Sequence, residues 1–113
     1  MTDIGTVYDS PVLSPKLGLG RAEVDFTDVT RLKFTVYVNK SGTGTQSWQL
    51  WDETNGVEIL VIDDAGAVGI RVLSTETTDP FVIPTGLVTV RVRIKSTVST
   101  DDPTYFGASL RLE

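Results

Sequence analysis

The chain has 113 residues, enough for one domain with its own hydrophobic core, and contains neither cysteine nor histidine. That composition excludes disulfides, Cys/His zinc sites and any Ser-His-Asp or Cys-His nucleophile. Ten basic and fifteen acidic residues leave a net charge of −5, which speaks against nucleic acid as the partner, because such affinity comes from neutralising phosphates.

Met1-Thr2-Asp3-Ile4-Gly5 lacks the basic and apolar regions of a signal peptide. The expectation is therefore a cytoplasmic translation product. No apolar run approaches the roughly 20 residues of a membrane helix, so no membrane partner is expected. Residues 1–20 read as an N-terminal arm with a short strand at Thr6–Tyr8. Pro11, Pro15, Gly18 and Gly20 break its pattern. Val12, Leu13, Leu17 and Leu19 are its candidate contact residues, either on their own domain or across to a neighbour.

From residue 21 to 113 the pattern is that of a β-sandwich. Threonine (16) and valine (15) are the commonest residues, and β-branching favours strands. No stretch of three turns carries apolar residues at helical spacing. Turn residues recur every eight to twelve positions, the spacing of an antiparallel two-sheet fold. The first expected strand of this part is Arg21–Phe26. Arg31–Asn39 follows, with Leu32, Phe34, Val36 and Val38 alternating against Lys33, Thr35 and Tyr37. Gln46–Asp52 places Trp48 and Leu50 in one phase and Gln49 and Trp51 in the other. Asn55-Gly56 is an expected hairpin turn. Val57–Ile62 is apolar in both phases and reads as a central strand covered on both faces. Asp64-Ala65-Gly66 turns the chain into a strand at Ala67–Leu73. Pro84-Thr85-Gly86 leads into Leu87–Lys95, where Val88, Val90, Val92 and Ile94 alternate with Thr89, Arg91, Arg93 and Lys95. Tyr105–Leu112 closes the fold, with Phe106, Ala108, Leu110 and Leu112 on one side. The expected architecture is all-β, an antiparallel two-sheet β-sandwich of about eight strands, jelly-roll-like.

Trp48 and Trp51 lie three apart on one strand, so they point to opposite faces. Phase with Leu50 assigns Trp48 to the core. Trp51 then shares an outer face with Gln49 and with Tyr37. It either packs under a loop or a second subunit, or offers its ring to a sugar. Arg91, Arg93 and Lys95 occupy one face of one strand, beside Arg111 and Lys33. Like charges two residues apart require acids opposite them. Glu58, Glu76 and Asp25 are the internal candidates, and an acidic partner is the external one. Asp63-Asp64 and Asp101-Asp102 lack the spaced pattern of a calcium loop, so no metal and no cofactor is expected. Ser41-Gly42-Thr43-Gly44-Thr45 and Gly18-Leu19-Gly20 lack the following helix of a phosphate-binding loop and read as turns. No catalytic residue is assigned.

The segments Leu32-Lys33-Phe34-Thr35-Val36-Tyr37-Val38-Asn39 and Ser47-Trp48-Gln49-Leu50-Trp51-Asp52-Glu53-Thr54-Asn55-Gly56 resemble small jelly-roll β-sandwiches of tailed-bacteriophage virions. The ending, from Lys95-Ser96-Thr97 through Asp101-Asp102-Pro103 to Tyr105-Phe106-Gly107-Ala108, adds to the likeness. It covers most of residues 22–113. It implies a non-enzymatic structural virion protein of the capsid decoration (cement) type, or of the tail accessory type. It also implies synthesis in the host cytoplasm and a location in the virion. The implied partners are the major capsid protein or another virion protein, and further copies of the chain, with a trimer as candidate stoichiometry. The same strand style occurs in carbohydrate-binding modules. A sugar-binding or receptor-binding accessory domain is therefore the alternative.

Overall fold

A computed structural model describes residues 21–98 and 100–113. The arm of residues 1–20, its strand at Thr6–Tyr8 and its four apolar contact residues lie outside the described residues. The described part is all-β, with seven strands in two antiparallel sheets. They are β1 (Arg21–Asp25), β2 (Leu32–Lys40), β3 (Gln46–Asp52), β4 (Val57–Asp64), β5 (Gly69–Thr77), β6 (Leu87–Ser96) and β7 (Thr104–Leu112). One sheet has the order β1-β6-β3-β4 and the other β5-β2-β7.

The core lies between the inner faces. Leu32, Phe34, Val36 and Val38 of β2 meet Val88, Val90, Val92 and Ile94 of β6, and all eight are buried. Strict period-two alternation places them there, because successive side chains of a strand point to opposite faces. Burying each such side chain contributes about 1.5–3 kcal/mol. Trp48 and Leu50 of β3 fill the centre. The Tyr105 ring stacks on Trp48, with centroids 5.7 Å apart and 26° between the planes.

The ends of the sandwich are closed by side chains that bond to backbone. At one end the Asp101 carboxylate accepts from Gly44 N (2.9 Å) and Ser96 Oγ (3.1 Å). It lies where a side chain on Gly42 or Gly44 would stand, and Gly42 also has a φ of +78°. Glycine is therefore required at Gly42 on both counts. The buried Gln46 amide binds the Ser41 backbone beside it, and Lys40 Nζ donates to Gly42 O at 3.0 Å. At the other end Asp25 Oδ1 accepts from Thr27 N and Thr27 Oγ1, which shapes the β1–β2 turn.

Three expectations are corrected. Val57–Ile62 belongs to β4, which among the described residues is an edge strand and not a central one. Its outward Val61 lies opposite Gln49, and a bulge between Leu50 and Trp51 disturbs its phase. The strand expected at Ala67–Leu73 runs instead over Gly69–Thr77, past the end of the apolar run. Phe106 is not on the core side. A bulge at the Tyr37/Val38 register step sets Tyr37 opposite Gly107 and Val38 opposite Tyr105, so Phe106 turns out to solvent. Asn55-Gly56 does lie in a hairpin turn, the four-residue link between the antiparallel β3 and β4, where Gly56 alone has positive φ.

Candidate interaction surface

β3 and β6 are neighbours in the four-stranded sheet, and their register builds the surface. Trp51 pairs with Arg91, Gln49 with Arg93 and Ser47 with Lys95. Trp48, Leu50, Val90, Val92 and Ile94 fill the inward phase of these strands, so the six side chains in the other phase share the outward face. The Arg93 guanidinium carbon lies 4.4 Å from the centroid of the Trp51 ring, an interaction worth about 0.5–1 kcal/mol where solvent reaches it. Gln49 Nε2 donates to Glu58 Oε1 at 2.9 Å. Ser47 Oγ donates to Asp63 Oδ1 at 2.6 Å.

The basic strip is therefore flanked by acids of its own domain. Arg91 pairs with Glu53 at 3.6 Å, and Glu58 reaches the strip through Gln49. Of the expected acids only Glu58 stands here. Asp25 is bonded to Thr27, and Glu76 belongs to the other sheet. Sequence reasoning misses Glu53, because it follows β3 in a loop where strand phase gives no direction. Its place is set by β6: Glu53 N donates to Thr89 O, and Thr89 N donates to Thr54 Oγ1, both at 2.8 Å.

Tyr37, Lys33 and Arg111 are not part of this surface. All three lie on the outer face of the three-stranded sheet, on the far side of the core. Lys33 and Arg111 line a shallow depression there with Arg31, Glu76 and Glu113. Arg31 forks onto Glu76 with contacts of 3.0 and 3.3 Å, and Arg111 Nε meets Glu113 at 2.8 Å. The hydrogen bond and charge of Arg31 hold the Glu76 carboxyl below its usual 4.5. Hydrogen bonds from Thr27 hold Asp25 below its own usual value. A carboxylate with a depressed folded pKa adds stability above its unfolded pKa and loses it as pH falls through the folded one. The melting temperature should accordingly drop on acidification below about pH 4.5, and Glu76→Gln should drop less. A flat melting temperature across that acid range would contradict this.

The acidic pairs separate. Asp63 points outward to Ser47, whereas Asp64 is buried and holds Arg71 at 3.2 Å. Asp101 is tied into its loop and Asp102 is exposed. Among the described residues no three acids gather as a cation site. Burial pushes the Tyr105 phenol well above its usual value, so it is a neutral core side chain near pH 7. Ser41–Thr45 is a turn, as expected, and Gly18-Leu19-Gly20 lies outside the described residues. Among the described residues no helix is long and apolar enough to cross a membrane.

No family model matches the chain, and no curated protein does. Among solved structures, dimeric latent PorU from Porphyromonas gingivalis is similar, with a TM-score of 0.50 and 12% identity. The similarity covers 96% of this chain and 10% of that one. The chain thus spans about a tenth of that protein's length, and the likeness concerns the fold alone.

Proposed function

We propose that the domain is a non-enzymatic structural virion protein, of the capsid decoration type, that docks on a protein lattice. One observation carries the reading: Trp51, Arg91, Arg93 and Lys95 stand together on the outward face of a rigid sheet. Aromatic and arginine side chains supply most of the anchoring energy at protein interfaces. Mounting them on paired strands costs little ordering on binding. Glu53 holds Arg91, and Glu58 holds the Gln49 amide opposite Arg93, so the patch presents both signs. In this reading the protein is made in the host cytoplasm and acts in the virion, beside the major capsid protein.

The alternative, a sugar-binding module, draws on Trp51 beside the Gln49 amide. Arg93 lies over that ring and so covers one of its two indole faces. Shells assembled from a tailed-phage major capsid protein, mixed with the domain and pelleted, distinguish the two. Saturable co-sedimentation is expected, and Trp51→Ala should weaken it about 30-fold, as loss of roughly 2 kcal/mol at an anchor implies. No pelleting, together with a glycan-array signal that Trp51→Ala abolishes, would replace the virion reading by the sugar-binding one.

A further inference from the structure

One end of the outward face of the three-stranded sheet is apolar, while Thr35, Ser74 and Ser109 make its middle polar. An antiparallel sheet with one solvated face ordinarily turns polar side chains outward. Here Ile70 (78% exposed), Val72 (61%) and Phe106 (58%) point out around Tyr37. Tyr37 sits on the middle strand, paired with Val72 on one side and with Gly107, next to Phe106, on the other. Further along the same face, Lys33 is level with Glu76 on β5 and with Arg111 on β7.

We propose that this face is covered by the same face of a second copy of the chain, with the two-fold axis running along β2. Half a turn about that axis lays β2 on β2, and β5 on the partner's β7. Ile70 and Val72 then meet Phe106 of the partner subunit, and the Arg31–Glu76 pair meets Arg111 of the partner subunit, which keeps its own Glu113. Each contact occurs twice by symmetry. A foreign protein would need a surface shaped for this pattern, whereas one rotation makes the pattern complementary to itself. The operation also keeps the strands of the two facing sheets aligned, as packed sheets prefer. Its cost is Lys33 beside Lys33 of the partner subunit, with Glu76 from both copies next to them.

Size sets the strength. Three strands about 4.8 Å apart and nine residues long at about 3.3 Å each give roughly 400 Å² of flat face per copy. A standard interface buries about 800 Å² per partner. The pairing is therefore a weak, transient one, to be looked for at micromolar concentrations and above. The inference goes beyond the docking proposed above and holds whatever lattice the opposite face meets.

Sedimentation velocity on the full chain, across concentrations spanning that range, tests it with Val72→Glu, Phe106→Lys and an equal mixture of the two. Wild type is expected to move from monomer to dimer. Each variant alone should stay monomeric, because both symmetry-related contacts place a charge against an apolar side chain. The mixture should associate again, because one contact is native and the other sets Glu against Lys. Both positions are more than half exposed, so both variants should melt like wild type, and Ile70→Glu stands in if Val72→Glu does not fold. Wild type that remains monomeric, variants that associate as well as wild type, or folded variants that fail to rescue each other would overturn the proposal. Phe81→Ser alters a 97% exposed residue of the β5–β6 loop, outside the three strands of this face, and should leave dimerisation intact; its loss there would overturn the proposal too.

Discussion

Phe34→Ala is expected to destabilise the domain by about 3–5 kcal/mol. Phe34 lies on the middle strand of its sheet, fully buried, between Thr75 of β5 and Leu110 of β7. Truncation removes the ring's transfer energy and leaves a cavity that the facing sheet cannot follow, since both sheets are held by their ladders. Domains of this kind have about 5–15 kcal/mol in total, so the loss is a large share. Urea titration should show a lower midpoint with an unchanged slope. A midpoint within error of wild type would mean that the core tolerates the hole, and that close packing around Phe34 is not what stabilises the sandwich.

Asp52→Ala should cost about 3 kcal/mol or more, for a different reason: the loss of two hydrogen bonds to a carboxylate, each worth about 1.5–3 kcal/mol. Asp52 ends β3 with a buried carboxylate. Its two oxygens accept from Asn55 N (3.0 Å) and Asn55 Nδ2 (2.8 Å), while its carbonyl accepts from Gly56 N (2.9 Å). Alanine leaves the Asn55 donors to find water. The same loop carries Glu53 to Arg91, so the effect reaches the interaction surface. Asp52→Asn keeps the shape but can accept at only one side-chain oxygen, and should fall between wild type and alanine. Equal stability of all three proteins would show that the loop holds without this carboxylate.

Alternation is legible wherever a strand has one dry face and one wet face along its whole length. Leu32 to Val38 and Val88 to Ile94 meet that condition, and so do Trp48 and Leu50. Counting by twos fails where the pleat is interrupted. It assigns Phe106 inward because the count runs through the bulge. The available signal is Gly107, since a glycine inside a strand often marks such a step. β5 is cut short in the sequence reading because its inward Thr75 and Thr77 are only partly buried and carry no apolar mark. Val57–Ile62 looks central because a run apolar in both phases fits either a covered strand or an edge strand with a bulge.

The interaction surface is legible in part for the same reason. Gln49 with Trp51, and Arg91 with Arg93 and Lys95, each follow from phase within one strand. That the two sets are neighbours depends on β3 lying beside β6, and alternation says nothing about which strands pair. Tyr37 shows the limit: phase turns it outward correctly, but on the other sheet. The same gap displaces Lys33 and Arg111.

Strand order also governs how such a chain can reach its fold. Of the six links between consecutive described strands, only β3 to β4 stays within one sheet; the other five pass from one sheet to the other. No sheet can therefore grow by adding hairpins in sequence, and nearly every ladder joins segments far apart along the chain. Loop-closure entropy is spent before those pairings return anything, which slows folding toward the millisecond-to-second range of sandwich proteins. The reverse path is constrained as well. A strand cannot peel away from one sheet without pulling on its links to the other, so opening is expected to involve both sheets at once, with few partly open forms for a protease to cut.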